Sequence, residues 1–163
     1  MSKTNQELFE MIYKKCYPMV LQMCLGYMKG DVDLANDLTQ EVFINIWNAM
    51  SSFKGQSTHK TWVYRITVNT CLQHIRKEKN KKKVSLDKVV YALAEEPKIT
   101  SDQNQSLYQA IGNLDELDRL LIMMVLDGQE YDYISKIMGI KPTNVRVKIH
   151  RIKRRLKKIL NNE

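Results

Sequence analysis

Apolar residues recur every three or four positions along most of the 163-residue chain, which is the spacing of one buried helical face. The first such stretch places four apolar residues on one face: Leu8, Met11, Ile12 and Cys16. A second stretch, "DLANDLTQEVFINIW", steps by four through Leu34, Leu38, Val42 and Ile46. Gly occurs six times and Pro three times, so few positions interrupt these patterns. The chain is therefore predicted to be all-α.

Turn signals divide the N-terminal half into several helices. Pro18 is predicted to open the helix after the first one, because a proline at a helix start gives up no hydrogen bond. The stretches "KGD" and "SSFKGQST" mark the next two breaks. The helical period then resumes at Trp62, Val63, Ile66 and Thr70, and the helix runs on into "IRKEKNKKK". Residues 1–80 are therefore predicted to form one helical domain.

The regular pattern is lost over residues 81–104, which are polar and charged and contain Pro97. This stretch is predicted to be a flexible linker, although "SLDKVVYALAEE" within it could form a short helix. Beyond it, "LYQAIGNL" predicts a short helix, Asp115 is placed to cap "ELDRLLIMMVL", and Gly128 is placed to end that helix. Residues 105–163 are predicted to form a second small helical domain.

The end of the chain has the spacing of a helix-turn-helix. Ser135 is small where two helices must approach, Gly139 lies four residues on at the turn, and Val145 lies six further, where it can anchor the second helix. The core of the motif is predicted to contain Ile134, Met138, Ile140 and Ile149. Such a motif places its second helix in the major groove of DNA.

Positive charge is concentrated in two blocks. The chain has 26 Lys and Arg against 18 Asp and Glu, a formal net charge of +8. Residues 65–83 contain seven Lys or Arg and one Glu, and residues 141–158 contain nine and no acid. Clustering of this kind indicates a nucleic-acid binder. For each block the alternatives are a solvated helix face and a basic helix that lies on an anionic membrane.

Other classes of protein are not indicated. No run approaches 18 apolar residues, and the start "MSKTNQELFE" has no apolar signal-peptide core, so the chain is expected in the cytoplasm without membrane insertion. Cys16, Cys24 and Cys71 lack C-x-x-C spacing and are expected to be small buried hydrophobes. Without a Gly-rich phosphate loop or a Ser/His/Asp set, no catalytic residue, metal or cofactor is expected.

Three stretches in this order resemble a known family: "LANDLTQEVFINIW", "FKGQSTHKTWVYRITVNTCLQHIRKE" and the helix-turn-helix. They resemble the extracytoplasmic-function (ECF) group of bacterial RNA polymerase sigma factors, and the resemblance covers nearly the whole chain except the linker. It implies a subunit with no enzymatic activity that binds core RNA polymerase and directs promoter recognition, promoter melting and transcription initiation. Residues 1–80 would correspond to sigma region 2, and 105–163 to sigma region 4.

By this resemblance, "DLTQEVFINIW" is the helix that docks on the clamp coiled coil of the polymerase's largest subunit. The matching contact residues are Asp37, Gln40, Glu41, Phe43 and Trp47. Acids on an otherwise basic protein also suit a protein partner better than DNA. Either aromatic residue could instead be core, and we expect one of the two to be buried. Relatives usually carry an acid where this chain has Asn36.

The resemblance assigns residues 53–76 to opening the minus-ten promoter element and capturing its non-template strand. The residues assigned to this DNA are Phe53, His59, Arg65, Asn69 and Arg76. The loop "FKGQSTHK" is expected to hold an extruded base, because a base must leave the stack before its pairing edge can be read. His59 stands where many relatives have Phe. Trp62 is expected to be a core anchor, and His74 to be solvated.

The C-terminal helix, residues 143–158, is assigned to the minus-thirty-five element. The residues predicted to face bases or nearby phosphates are Thr143, Asn144, Arg146, Val147, His150, Arg151 and Arg154. Placed behind them to meet phosphates are Lys153, Arg155, Lys157 and Lys158. The resemblance also implies that the linker extends toward the polymerase active centre and that an anti-sigma factor is a partner, able to hold the two domains inactive. The free chain is expected to be a monomer.

Two other functions fit parts of the sequence. A dimeric helix-turn-helix repressor or activator would bind a palindromic operator without polymerase. An enzyme is the second alternative, because Asp33, Asp37 and Glu41 follow one another at helical turns as metal ligands can, although the Glu-x-x-His partners of helical di-metal sites are missing. The sigma-factor hypothesis instead requires two helical modules on a flexible linker that grip separate stretches of promoter.

Overall fold

A computed structural model describes residues 3–84 and 102–161 of the chain. Within them there are seven α-helices, one 3-10 turn and no strand: α1 (Lys3–Tyr27), α2 (Val32–Ala49), the turn Met50–Ser52, α3 (His59–Val84), α4 (Asp102–Gly112), α5 (Glu116–Leu126), α6 (Tyr131–Met138) and α7 (Pro142–Leu160). The all-α prediction is confirmed. The edges of the predicted linker belong to α3 and α4, and the rest of it, including "SLDKVVYALAEE", lies outside the described residues.

Helix α1 runs unbroken for 25 residues, so the prediction that Pro18 opens a new helix is wrong. A proline inside a helix costs about 3 kcal/mol because it removes a hydrogen bond and crowds the preceding turn. Pro18 lies on the exposed side, where water can reach the carbonyl of Lys14 that loses its partner. On the opposite side Ile12, Val20 and Met23 are buried, at about 1.5–3 kcal/mol each, which outweighs the cost.

The turn after α1 confirms the "KGD" signal. Lys29 and Gly30 adopt left-handed conformations, with φ of 61° and 85°. The amide of Gly30 donates to the carbonyl of Leu25 at 2.8 Å. Asp31 then accepts a hydrogen bond from the amide of Leu34 at 3.1 Å and so caps α2.

Helices α1, α2 and α3 pack together as the first helical unit. Leu38, Val42 and Ile46 of α2 are buried as predicted, whereas Leu34 is 50% exposed. Steps of four residues drift by about 40° around a helix of 3.6 residues per turn, so Leu34 falls at the margin of the stripe. The three cysteines are buried free thiols, which confirms their predicted role as small hydrophobes.

Helices α4 to α7 form the second unit. Asp115 occupies the N-cap of α5 as predicted, although its side chain makes no capping hydrogen bond. Gly128, with φ of 82°, follows the end of α5, and its amide donates to the carbonyl of Val125 at 2.9 Å. The buried stripe that packs α7 on its neighbours consists of Val145, Ile149, Ile152 and Leu156.

The two helical units pack on each other. Helix α1 contacts α4 and α5, α3 contacts α6, and the buried residues of both units form one continuous cluster. One close approach is at Gly26 of α1, where an added Cβ would lie 2.2 Å from Cγ and Sδ of Met123 on α5. We call this packing the closed arrangement. The two units were predicted, but no feature of the sequence indicates that they are packed in this way.

Candidate nucleic-acid and protein interfaces

The turn between α6 and α7 has the geometry of a helix-turn-helix. Gly139 ends α6 in a left-handed conformation (φ 68°, ψ 30°), and its amide donates to the carbonyl of Ser135 at 2.9 Å. The hydroxyl of Ser135, which is buried, donates to the carbonyl of Ile140 and satisfies it within the turn. Val145 is fully buried and anchors α7. The predicted core residues are all buried or partly buried: Ile134, Met138, Ile140 and Ile149.

Opposite its buried stripe, α7 presents a basic face. The residues predicted to read the minus-thirty-five element are all exposed: Thr143, Asn144, Arg146, Val147, His150, Arg151 and Arg154. Six of the seven follow helical spacing along one side, and Asn144 lies beside them. Helix α7 contains no acid, so no side chain of the helix itself neutralises this charge. Arg and Asn can bond to guanine and adenine edges, and Val147 can meet a thymine methyl group.

Two basic residues of α7 are turned toward the protein. The guanidinium of Arg155 donates from Nη2 to the carbonyl of Asn113 at 2.9 Å and ties α7 to the α4–α5 turn. Arg155 is itself exposed, so its other N–H groups are still available to a phosphate, as predicted for the residues behind the reading face. Lys148 is close enough to Asp118 of α5 to oppose the effect of burial, which raises the pKa of that carboxyl. The remaining basic residues of α7 are exposed.

An aromatic cluster stands at the start of α3, where the minus-ten residues were predicted. The ring centroid of Phe53 lies 5.2 Å from that of His59 and 4.8 Å from that of Trp62. The hydroxyl of Thr58 accepts from the amide of Thr61 at 3.2 Å and fixes where the helix begins. Trp62 is half-buried, so it anchors the loop on the core and also borders the surface.

Arg65, Asn69 and Arg76 continue from this cluster along α3. All three are exposed, and they lie within about 40° of one another around the helix. The structure thus groups Phe53 with His59 at the start of α3 and places Arg65, Asn69 and Arg76 on one face further along the helix. Rings followed by cations and an amide form the kind of surface that holds unpaired nucleotides.

A cavity of about 730 Å³ opens between α1 and the loop before α3. Met11, Ile12 and Met19 contribute apolar walls from α1, and Thr58 contributes a hydroxyl from the loop. Burial raises the pKa of the Cys16 thiol in this wall, while the nearby Lys15 and Lys60 act to lower it. The cavity therefore has mainly apolar walls on the α1 side, and its lining also includes the cations of Lys15 and Lys60 and the carboxylate of Asp127. The sequence singled out the loop but not α1 as its second wall.

The basic end of α3 differs from α7 in that some of its cations are paired with acids. Its residues from 76 to 81 are all exposed. Lys77 lies 3.8 Å from Glu41 of α2, and Lys81 lies 3.9 Å from Glu78. Exposed ion pairs of this kind contribute about 0–1 kcal/mol. His74 was expected to be solvated, but it is half-buried with its Nδ1 3.3 Å from the hydroxyl of Tyr27, so that prediction is wrong.

Helix α2 has an exposed face of mixed character. Asp37 and Gln40 are exposed and Glu41 is partly exposed, as a contact with another protein requires. They lie between Leu34, which is 50% exposed, and Ile44, which is 59% exposed. Neither apolar residue was predicted as a contact. Ile44 could have been found as the one large aliphatic residue that falls off the core spacing of α2.

Phe43 does not reach this face, because it is only 5% exposed. Its ring lies 4.7 Å from that of Tyr13 and 6.0 Å from that of Tyr17, both on α1. Trp47 is half-buried, with its ring 5.0 Å from Phe9. The prediction of Phe43 as a polymerase contact is therefore wrong, because packing on α1 buries it, while the expectation that one of the two aromatic residues is core is confirmed.

Residues 3–84 and 102–161 contain neither a membrane-spanning helix nor a cluster of metal ligands. No helix there is both long enough and apolar enough to pass through a bilayer. Nor do three His, Cys, Asp or Glu residues within those ranges come together as they would around a metal ion. The row of acids on α2 is thus not arranged as a metal site in the described part of the chain.

Family models match both halves of the chain. The model for Sigma-70 region 2 matches residues 12–81, and the model for Sigma-70 region 4 matches residues 104–156. Together they cover the aromatic cluster and basic face of α3, the α2 face, and the helix-turn-helix.

Individual relatives point the same way. The chain is 26% identical over 161 residues to the RNA polymerase sigma factor YlaC of Bacillus subtilis, covering 94% of this chain and 92% of that one. It is 30% identical over 129 residues to the ECF RNA polymerase sigma-E factor of Haemophilus influenzae, covering 71% of this chain and 68% of that one. Among solved structures, the fold is similar to the sigma factor RpoE in complex with the anti-sigma factor NepR from Bartonella quintana, with a TM-score of 0.76, 22% identity, and 94% and 96% of the two chains covered.

Proposed function

Because the chain belongs to the ECF group of RNA polymerase sigma factors, which direct transcription initiation, we propose that it does so through three separate surfaces: the α2 face, the α3 face with its loop, and the basic face of α7. The observation that carries this proposal is that all three surfaces are exposed on one chain. We propose residues 1–80 as the region 2 domain, 81–104 as the linker, and 105–163 as the region 4 domain.

The α2 face is proposed to dock on the clamp coiled coil of the polymerase's largest subunit. Asp37, Gln40 and Glu41 supply polar contacts, and Trp47 borders the face. Ile44 is proposed as the central apolar anchor, because a side chain of this size that is 59% exposed gains most from being covered by a partner. Leu34 extends the apolar part toward the start of α2.

The start of α3 is proposed to hold the melted minus-ten strand. An extruded base would enter the cavity beside the loop, near the rings of Phe53 and His59. Arg65, Asn69 and Arg76 would follow the strand along α3. Stacking of bases on aromatic rings is worth about 1–3 kcal/mol per base.

The basic face of α7 is proposed to read the minus-thirty-five element in the major groove. Arg146 and Arg151 lie on the outer side where base edges would be, and Val147 and His150 lie between them. Free protein should bind duplex DNA weakly and with strong salt dependence, because each phosphate neutralised contributes a log–log slope of about −0.9.

The decisive experiment is run-off transcription with purified core polymerase and genomic promoter fragments. Added chain is expected to produce discrete start sites that core alone does not use. Ile44→Asp should lower the affinity for core at least about tenfold, because it places a charge at the apolar anchor. Gln6→Asp is the matched control, since it adds the same charge on the exposed side of α1, outside the α2 face. The proposal fails if core with this chain never initiates, or if the chain dimerises and binds a palindromic operator tightly without core.

The remaining expectations follow from membership of the family. We propose that the free chain is a monomer in the cytoplasm, where it would meet polymerase and DNA, and that it has no catalytic activity of its own. The structural relative RpoE was solved with an anti-sigma factor, which supports an anti-sigma partner here. Analytical ultracentrifugation would test whether the free chain is a monomer, and co-purification would test for an anti-sigma partner.

A further inference from the structure

The cavity between α1 and the loop before α3 has more room than a single extruded base needs. Its volume is about 730 Å³. Sites for whole small molecules measure about 300–1,000 Å³, and they are usually apolar with a few polar groups at defined positions. The size of the cavity therefore fits a small-molecule ligand, and its lining indicates the chemical class of that ligand.

One wall of the cavity consists of apolar side chains of α1. Ile12 and Met19 are buried, whereas Met11 is 47% exposed and borders solvent. Phe53 lines the cavity from the loop. Methionine side chains are unbranched and flexible, so they adapt to ligands of irregular shape. This wall suits a flexible acyl chain at least as well as a flat ring.

Two lysines line the same cavity from different elements. Lys15 belongs to α1, and Lys60 belongs to the first turn of α3. Both ammonium groups lie close enough to the thiol of Cys16 to act against burial, which raises the pKa of that thiol. Neither lysine takes part in an ion pair within residues 3–84 and 102–161. Two cations without an acidic partner beside an apolar wall favour an anionic ligand.

Asp127 is the one acid in the described lining of the cavity, and its carboxylate already has hydrogen-bond donors. The hydroxyl of Tyr64 donates to it, and Gln129 donates from Nε2 at 3.0 Å. Because these donors partly neutralise the carboxylate, Asp127 opposes an incoming anion less than a free acid would. The lining thus has an excess of positive charge, with two ammonium groups against one hydrogen-bonded carboxylate.

The site does not depend on the closed arrangement. Apart from Asp127, every residue that lines the cavity lies in α1, in the loop before α3 or in the first residues of α3. The hydroxyl of Thr58 accepts from the amide of Thr61, so the loop wall is held within the first unit. The walls are therefore supplied by the first unit and do not rely on how the two units pack.

We propose that this cavity binds a small amphipathic anion, with an acyl chain against Met11, Ile12 and Met19 and a carboxylate between the ammonium groups of Lys15 and Lys60. Each CH₂ group that the chain buries should tighten binding about fourfold. The same cavity is proposed to take the extruded minus-ten base, so the ligand and the base would exclude each other. This consequence rests on the proposed function, and it means that a fatty-acid-like anion would inhibit promoter melting.

The binding test uses the full chain and simple amphiphiles below their micelle concentrations. In isothermal titration calorimetry, decanoate should bind at one site at least about tenfold tighter than decanol, which has the same chain length without the charge. Octanoate, with two CH₂ groups fewer, should bind at least about fivefold more weakly than decanoate. Decyltrimethylammonium, whose charge is opposite, should not compete. The proposal is overturned if decanoate does not bind, or if it binds no better than decanol or octanoate.

Paired substitutions locate the anionic head of the ligand. Lys15→Gln with Lys60→Gln should bring the affinity for decanoate to within about threefold of that for decanol. The affinity for decanol should not change, which would show that the apolar wall is intact. Lys14→Gln with Lys54→Gln is the matched control, since both lysines are exposed in the same two segments but do not line the cavity. An equal loss in the control pair would mean that the general positive charge of the chain holds the anion, and the proposal would be wrong.

Acyl chains with anionic heads also occur in membranes, so a vesicle experiment separates the two sources. Co-sedimentation with vesicles of phosphatidylglycerol should be the same for wild type and for the variant with both Lys15→Gln and Lys60→Gln, because a lipid chain inside a bilayer does not enter the cavity. If this variant loses vesicle binding and keeps decanoate binding, the two lysines form a membrane contact and the proposed site is wrong.

Run-off transcription tests the consequence for initiation. Decanoate should inhibit initiation by core with the wild-type chain. The variant with both Lys15→Gln and Lys60→Gln should need at least about fivefold more decanoate for the same fractional inhibition of its own activity, because inhibition follows occupancy. Binding of decanoate without inhibition would overturn the shared use of the cavity. Failure of core with wild-type chain to initiate in the absence of decanoate would instead overturn the proposed function, so the two failures are distinguishable.

Discussion

The two basic blocks of the chain both carry a clear excess of Lys and Arg, but their surroundings are very different. In α7 an apolar stripe is buried along the helix, and the cations occupy the opposite side. Among the α3 residues up to 81, the last buried one is Ile75, and the six that follow it are all exposed. Both blocks carry the electrostatic signal of a nucleic-acid binder, but only α7 has a fixed orientation along its whole basic length.

This difference shows that apolar anchors, rather than charge, decide which basic helix can read a sequence. Val145, Ile149 and Ile152 fix the rotation of α7, so its arginines occupy defined positions on the opposite side, which is proposed to face base edges. The end of α3 can attract phosphates but has no such support. We therefore expect α7 to contribute specificity and the end of α3 to contribute affinity that depends on salt.

The largest expected effect comes from removing an anchor of α7. Ile149→Ala should lower the free energy of unfolding by about 2–5 kcal/mol, because Ile149 is fully buried and truncation leaves a cavity. Lys79→Ala in the exposed end of α3 should change it by less than about 0.5 kcal/mol. Urea denaturation measures the free energy of unfolding of both variants. Equal destabilisation by the two substitutions would mean that the end of α3 is as firmly anchored as α7.

The next effect separates specific from non-specific contacts. Arg151→Ala should cost about 1–3 kcal/mol on the cognate minus-thirty-five duplex and relax the preference at one base pair. Lys79→Ala should weaken cognate and scrambled DNA equally and reduce the magnitude of the salt slope by about 1. Fluorescence anisotropy across a range of salt concentrations gives both quantities. The proposed difference between α7 and the end of α3 is contradicted if Arg151→Ala weakens binding to the cognate and the scrambled duplex equally.

The smallest effect concerns an acid beside α7. Burial raises the pKa of Asp118 above its ordinary value of 3.8, and Lys148 only partly offsets this. A raised pKa means that the folded chain favours the protonated carboxyl. This contribution to the free energy of unfolding is fully present below the ordinary pKa and is lost as the pH rises through the pKa of the folded state. Asp118→Asn should therefore stabilise the chain at pH 7 by less than about 1 kcal/mol and leave it unchanged near pH 3. Urea titrations at both pH values measure this, and a gain confined to pH 3 would contradict the sign.

Sequence patterns located those parts of the fold that depend on local spacing. The helix-turn-helix is one such part, since Ser135, Gly139 and Val145 lie within eleven positions and their roles follow from the turn between them. The exposed face of α7 could be predicted in the same way, because a buried stripe at helical spacing determines which residues lie on the opposite side of the helix. The hydrogen bond from Arg155 could not be predicted, since its partner is a main-chain carbonyl that has no signature in the sequence.

Features that depend on distant parts of the chain were missed. Pro18 stays inside α1 because the residues around it are buried by other helices. Phe43 and Ile44 are adjacent apolar residues, and only the aromatic rings on α1 determine that Phe43 is the buried one. The contact of Gly26 with Met123 joins the two predicted domains and leaves no periodic trace. The position of α1 as the second wall of the cavity likewise leaves no pattern in the sequence.

Both tryptophans, Trp47 and Trp62, belong to the first unit, where they pack on Phe9 and Phe53. Indole fluorescence therefore reports on the N-terminal half alone, while far-ultraviolet dichroism reports on every helix. If the continuous buried cluster makes the chain melt as a single cooperative body, the two signals will trace superimposable thermal curves. Curves that separate would assign one midpoint to each half without any label being attached.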